Sequence, residues 1–398
     1  MRRLLVTLFT TLTLLGLGAS VASAAPAPPG TPSASGDAFY EPPATLPAGN
    51  GDVIRAEPFA APLPASATRI LYRSTDTAGR ATAVSGTVLV PFAPAPGPRK
   101  LISYAVGTQG IADRCAPSRQ FAAGTEYESA FVSTLLSRGY AVVVTDYQGL
   151  GTPGTHTYVN RAAEGHAVLD AVRAARDLGS APDGGPTAIA GYSQGGGASA
   201  AAAEFAPSYA PDVARTLVGA YAGAVPADLA ATGAALDGTP SAGLIGYALN
   251  GFDAAYPDLH VADQLNAAGK RFLAETREQC VGDTAARYPG VRSSTLTSQG
   301  QTLAQILATE PFRSRVGEQR IGTTAPQVPM FVAHSVADDI VPFDQDAAMV
   351  RSWCAKGAKV QFVPLPVPTH VAGAAAAFPG AVAFLDARFA GRQTPSSC

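Results

Sequence analysis

The pentapeptide Gly191-Tyr192-Ser193-Gln194-Gly195 constrains this chain more than any other segment. It follows the short apolar run Thr187-Ala188-Ile189-Ala190 and precedes the tiny residues Gly196-Gly197-Ala198-Ser199-Ala200-Ala201. That order predicts a strand, a sharp turn and a helix. In such a turn a serine is held in a strained conformation with its hydroxyl clear of the sheet. Glycines two positions to either side avoid a crowded Cβ. The helix that follows aims its free N–H groups at whatever reacts with the serine. In a chain with 41 glycines the five letters alone also fit a plain turn with a solvated serine. The flanking strand and helix patterns favour the nucleophile.

The start of the chain reads as an export signal. Arg2-Arg3 supply the charge, Leu4 to Leu17 the apolar stretch, and Ala22-Ser23-Ala24 a small-residue cleavage site. The stretch is short for a membrane span, and no segment of the mature chain is read as transmembrane. The expectation is a secreted protein whose mature chain begins at Ala25. Its four cysteines, Cys115, Cys280, Cys354 and Cys398, then predict two disulfides, with three pairings open. A bridge from Cys398 would tie down the tail. With no C-x-x-C, a structural zinc or redox dithiol is not indicated. The net charge of -2 gives no reason to expect nucleic acid or an anionic membrane surface as partner.

With 398 residues, 47% of them hydrophobic, the chain can bury a large core. Residues 25–50 are a Pro/Ala-rich arm, too poor in apolar side chains to form a core alone. Ile70–Ser74 and Ala83–Val90 read as strands joined by a turn. Leu101–Val106 and Tyr140–Thr145 read as strands buried on both faces. A helical pattern fills Arg161–Leu178 before the serine strand. Leu217–Ala222, Pro329–His334 and Val360–Val363 read as later strands, and Pro379–Phe389 as a closing helix with proline at its first position. The expected fold is α/β, a mostly parallel doubly wound sheet. The gap from Ala222 to Pro329 is too long for an ordinary crossover. Its helical patches predict a cap over the C-terminal edge of the sheet, where open α/β sheets place their sites. The divisions are a signal at 1–24, the arm at 25–50, a core of 51–224 and 325–398, and a cap of 225–324.

A serine hydroxyl needs a base to take its proton and a third group to orient that base. In an α/β-hydrolase the order is serine, acid, histidine. Of the five histidines, only His370 follows the last predicted strand. His156, His166 and His260 fall on predicted loops or helices, and His334 precedes the acid as a strand-end residue. Asp338 and Asp339 follow the strand that ends at His334, and they compete to be the acid. The one not used faces solvent or caps the next helix. Asp146 also ends a strand, but it precedes the serine and is assigned to shaping its loop. The oxyanion donors expected are the backbone N–H of Gln194 and that of Gly107 or Thr108. No H-E-x-x-H or early G-x-G-x-x-G occurs, so neither a metal nor a dinucleotide cofactor is indicated.

These motifs, taken together, resemble the secretory lipase family, the lipase A-like α/β-hydrolases with a helical cap. The resemblance runs from about Phe39 to Phe389. It rests on Tyr72-Arg73-Ser74-Thr75 with Val84-Ser85-Gly86-Thr87, and on Gly107-Thr108-Gln109-Gly110 before Cys115-Ala116-Pro117-Ser118. Asp146-Tyr147-Gln148-Gly149-Leu150-Gly151, the serine motif, Ala337-Asp338-Asp339-Ile340-Val341-Pro342 and Thr369-His370-Val371 complete it. It implies a Ser193–Asp338–His370 triad, with Asp338 favoured over Asp339 because the family's acid stands two residues before an apolar pair and proline. It implies hydrolysis of fatty-acyl esters, with transient contact with a lipid interface, and the disulfides Cys115–Cys280 and Cys354–Cys398. Val106 stands where many related enzymes carry a histidine. The rival readings are an esterase or acyltransferase on short or polar esters, and a non-catalytic binding protein on the same fold.

Overall fold

The computed structural model describes residues 37–95 and 97–398. The expected signal and the first part of the arm lie outside them. The described strands are β1 (Val53–Phe59), β2 (Ala65–Thr75), β3 (Ala81–Pro91), β4 (Leu101–Ala105), β5 (Ala141–Thr145), β6 (Thr187–Tyr192), β7 (Leu217–Gly223), β8 (Met330–Ala337) and β9 (Val360–Pro368). They form one sheet in the order β1-β2-β3-β5-β4-β6-β7-β8-β9. β1, β2, β3 and β5 pair antiparallel, and every pair from β5 to β9 is parallel. Every residue of β4, β5 and β6 is buried, which is why they read as unbroken apolar runs. The chain runs from β4 out to β5 and returns on the other side of β4 to β6. That reversal opens a crevice beyond the C-terminal ends of β4 and β6.

Helices cover both faces. α1 (Pro117–Ala123) and α2 (Ser129–Ser137) precede β5, and α3 (Arg161–Asp177) precedes β6. α4 (Gln194–Tyr209) and the single turn α5 (Pro211–Ala214) lead to β7. α3 and α4 pack on each other, and α12 (Phe343–Ala355) joins them where the Trp353 indole N–H donates to Glu204 of α4 (2.8 Å). On the other face α2 meets α13 (His370–Phe389) through the rings of Phe131 and Phe378. Among the described residues α13 alone is long and apolar enough by composition to cross a membrane, yet it packs on β7, β8 and β9 with Phe384 and Leu385 in the core.

Between β7 and β8 lie α6 (Leu229–Leu236), α7 (Leu244–Ala255), α8 (Ala267–Arg277), α9 (Val281–Arg287), α10 (Leu303–Leu307) and α11 (Phe312–Gly317). Among the described residues the only ladder contacts of this stretch are isolated bridges, Gly110 to Cys280 and Leu265 to Thr297.

Three features depart from the sequence reading. β1 is an added edge strand, whose half-exposed residues carry little periodic signal. β9 runs on through Pro364, Pro366 and Pro368, which an edge strand tolerates because one side needs no ladder N–H. The final helix begins at His370, so Pro379 is interior rather than first; burial of Phe378, Ala381 and Val382 on either side of it carries the helix past the proline.

The disulfides are Cys115–Cys280 and Cys354–Cys398. The second draws the tail along β9, where the Ser397 N–H reaches the Val360 carbonyl (2.6 Å) and covers part of an exposed edge. The first ties the loop after β4 to the start of α9, beside the bond from Val281 N–H to the Gln109 carbonyl (2.9 Å). It closes 165 residues against 44, and chain-entropy scaling makes the longer closure worth about 1 kcal/mol more. Replacing Cys115 and Cys280 by serine is therefore expected to lower the melting temperature more than replacing Cys354 and Cys398. Equal shifts in thermal unfolding would contradict this.

Candidate active site

β6 ends at Tyr192, and α4 begins at Gln194. Ser193 between them has φ 62° and ψ −124°, a conformation strained for any residue with a Cβ. The turn is held from both sides. The Ser193 N–H donates to the Gly223 carbonyl at the end of β7 (2.9 Å). A Cβ on Gly195 would stand 1.9 Å from the Ala105 carbonyl oxygen, and one on Gly191 would stand 2.2 Å from that of Gly195. The glycines let α4 press its first turn against the end of β4. There the N–H of Gln194 has no partner within its own helix.

His370 opens α13. Its Nδ1 lies 2.7 Å from Asp338 Oδ2, and its Nε2 is buried without a hydrogen-bond partner among the described residues. Its backbone is pinned as well. The His370 N–H donates to Asp339 Oδ1 (2.8 Å), and the Tyr192 hydroxyl donates to the His370 carbonyl (2.9 Å). The two adjacent aspartates thus divide the work. Asp338 meets the ring, and Asp339 caps the helix that carries it, α13 rather than the nearer α12. The Asp338 Oδ1 accepts the N–H groups of Ile340 (2.9 Å) and Val341 (2.8 Å). Burial alone would raise the Asp338 carboxyl. Hydrogen bonds from His334 and His370 and the charge of His370 instead hold it far below the usual carboxylate range.

The loop after β4 narrows the choice of second oxyanion donor. The Gly107 N–H already donates to Glu128 Oε1 (2.7 Å), while the Tyr104 hydroxyl holds the other oxygen (2.6 Å). Burial pushes the Glu128 carboxyl up. Thr108 is fixed on two sides, by Tyr158 at its hydroxyl (2.7 Å) and by the Tyr127 hydroxyl at its carbonyl (3.0 Å).

Behind Gln194 stands a buried network that sequence reasoning missed. The side-chain Nε2 of Gln194 donates to Glu164 Oε1 of α3 (2.7 Å) and to His156 Nε2 (2.8 Å). The His156 Nδ1–H must then donate to the Gln148 carbonyl (3.0 Å). Burial pulls the His156 imidazole down to about 4, which keeps it neutral, and pushes the Glu164 carboxyl up to about 8. No spacing in the chain signals that these residues meet.

The other candidates lie away from the reacting groups. Asp146 accepts from Ser85 (2.6 Å) and the Ser118 N–H (2.8 Å), tying β5 to α1 as a loop-shaping residue. Burial raises its carboxyl to about 6. His166 stacks on Tyr209 at 3.8 Å, and His260 sits in a left-handed turn.

Two apolar cavities meet at Ser193. One, of about 90 Å³, runs beneath the helices between β7 and β8, past Leu236, Ile245, Leu249 and Leu303. The other, of about 420 Å³, is wider and holds His370, Thr108, Phe131 and Val371.

The model of the secretory lipase family matches residues 116–397. The chain is similar to a secreted triacylglycerol lipase of Malassezia globosa, 30% identical over 385 residues, 91% of this chain and 81% of that protein. It is also similar to a probable inactive lipase of Mycobacterium tuberculosis, 32% identical over 378 residues, 90% of this chain and 83% of that protein. Among solved structures, Candida antarctica lipase A matches with a TM-score of 0.84 at 28% identity, over 93% of this chain and 89% of that one.

The packing at Gly195 makes a prediction that needs no substrate. Gly195→Ala forces a Cβ into the Ala105 carbonyl and is expected to cost upwards of about 3 kcal/mol, or to prevent folding. Gly197→Ala meets its nearest neighbour only at 3.4 Å and should be neutral or mildly stabilising. Equal melting temperatures for the two variants would contradict the close approach.

Proposed function

The chain belongs to the secretory lipase family, and we propose that Ser193, His370 and Asp338 make it a fatty-acyl ester hydrolase working through an acyl-enzyme. Membership alone does not carry this, because a probable inactive lipase is among the relatives. The observation that does is the 2.7 Å contact of His370 Nδ1 with Asp338, which leaves the unpartnered Nε2 in the cavity that Ser193 also lines.

In this mechanism Asp338 keeps the proton of His370 on Nδ1, so that Nε2 is the basic atom. His370 Nε2 takes the hydroxyl proton as Ser193 Oγ attacks the acyl carbonyl carbon. The negative charge that forms on the carbonyl oxygen is met by the N–H groups of Gln194 and Thr108. The Gly107 N–H, held by Glu128, is left out of this pair. The intermediate collapses by breaking the bond to the alcohol oxygen, which leaves with the proton from His370. Water then gives its proton to Nε2 and attacks the acyl carbon. The acid departs, and the proton returns to Ser193 Oγ.

The acyl chain takes the narrow cavity, whose walls are mostly apolar, and the alcohol leaves through the wider one. Residues 225–324 are the cap that roofs the acyl side. Transient contact with a lipid interface would deliver such a substrate. The family's name and the secreted relative support an extracellular protein, and two disulfides suit an oxidising compartment.

Initial rates on p-nitrophenyl esters from acetate to stearate test the reading. Ser193→Ala is expected to lose turnover on every ester. Asp338→Asn should fall by roughly 10⁴-fold and Asp339→Asn by far less. Rates that rise with chain length support a lipase. Activity confined to the shortest esters would keep the triad and make the protein an esterase. Wild-type turnover in Ser193→Ala would overturn the mechanism.

A further inference from the structure

Asp338 has a second partner that the hydrolytic steps do not use. His334, in β8, is fully buried. Its Nε2 lies 3.0 Å from the Val341 carbonyl oxygen and 3.2 Å from Asp338 Oδ2. Its Nδ1 lies 2.9 Å from Asp346 Oδ2 of α12, within ion-pair reach though off the line of a straight hydrogen bond. Asp346 Oδ2 also accepts the Val225 N–H (3.1 Å).

The protons follow from these partners. A carbonyl oxygen only accepts, so Nε2 carries a hydrogen. A neutral ring would then point the Nδ1 lone pair at a carboxylate oxygen in a buried site, which is repulsive. A proton between Nδ1 and Asp346 removes that repulsion. Each nitrogen faces an acceptor, so one proton is shared between Nδ1 and Asp346, whose carboxyl burial pushes up while the hydrogen bond and charge of His334 pull it back.

We propose that His334 is a positioning residue, a buried imidazolium balanced by Asp346, that holds Asp338 ionised and aimed at His370. This rests on the triad reading above and adds a second histidine behind its acid, in the order Asp346, His334, Asp338, His370, Ser193. Asp338 is thereby shared. Its charge answers His334 on one side and the charge that develops on His370 on the other.

The other groups around the cluster do not supply that charge. Asp339 is exposed on the loop after β8 and engaged with the His370 N–H. The phenols of Tyr192 from β6 and Tyr221 from β7 are pushed by burial far above their ordinary range and stay neutral. Phe343 of α12 offers its ring at 65° to the imidazole. Burial alone would pull the His334 imidazole down, but the carboxyl groups of Asp338 and Asp346 beside its two nitrogens push it up to about 9. The linkage sign follows from that rise. The stability His334 contributes is fully present below its unfolded value of about 6.5 and is lost as the pH rises through about 9.

His334→Gln removes the charge while keeping an N–H donor near the Val341 carbonyl. Asp346→Asn removes the counter-ion and leaves the ring to become neutral. In both, Asp338 serves His370 alone, which favours the protonated base. The acid limb of kcat/KM is then expected to move up by about one pH unit in each variant. A merely structural role would lower the rate at every pH and leave the limb in place. If either variant fails to fold, the protonation state is read in Ser193→Ala labelled with ¹⁵N-histidine. Its His334 should show two protonated nitrogens at pH 7. An unmoved limb in folded variants, or a neutral His334 ring in Ser193→Ala, overturns the proposal. The triad reading fails separately, through Ser193→Ala that still turns over ester.

Discussion

The close approach of α4 to the ends of β4 and β7 is the constraint on which the rest of the site depends. Three strand ends and one helix start converge within contact distance, and only glycine at 191, 195 and 196 allows it. The strain at Ser193 is held by the bond from its N–H to Gly223 and by the buried strands beneath. With the turn closed, the start of α4 lies against the end of β4, where the loop carrying Gly107 and Thr108 begins. Without it, the serine would be one more polar residue on a helix N-terminus.

Around that turn, ionisable groups fix the segments that surround Ser193. Glu128 holds Gly107, Glu164 and His156 hold Gln194, and Asp338 with Asp339 holds both the ring and the backbone of His370. Each buried carboxylate accepts hydrogen bonds, which offsets part of its desolvation. In the proposed mechanism these contacts position the reacting groups, and His370 Nε2 stays without a hydrogen-bond partner among the described residues. Preorganisation of this kind leaves little to rearrange as charge develops on the substrate.

Much of the frame was legible in the chain. The buried central strands announced themselves as apolar runs, and the strand–turn–helix context isolated Ser193. Chain order picked out His370, and the family resemblance favoured Asp338. What geometry added there was the reason: Asp338 meets the ring and Asp339 caps its helix. The prolines of β9 and Pro379 of α13 misled because local propensity says nothing of an edge position or of the buried face that carries a helix past its proline. Glu128, Glu164, His156, His334 and Asp346 were illegible for another reason. Each is a single residue on a different element, and only tertiary packing brings it to its partner. The Gly107 N–H, one of the two expected oxyanion donors, is engaged by one such residue, Glu128.

The measurement that bears most directly on the account is a rapid-quench intact-mass experiment with a p-nitrophenyl ester. It asks whether the acyl group passes through Ser193. The account predicts a burst of about one p-nitrophenolate per chain, a matching gain of one acyl group in mass, and its location on the peptide that contains Ser193. Steady turnover with no acylated protein, or an acyl group on another residue, would contradict it.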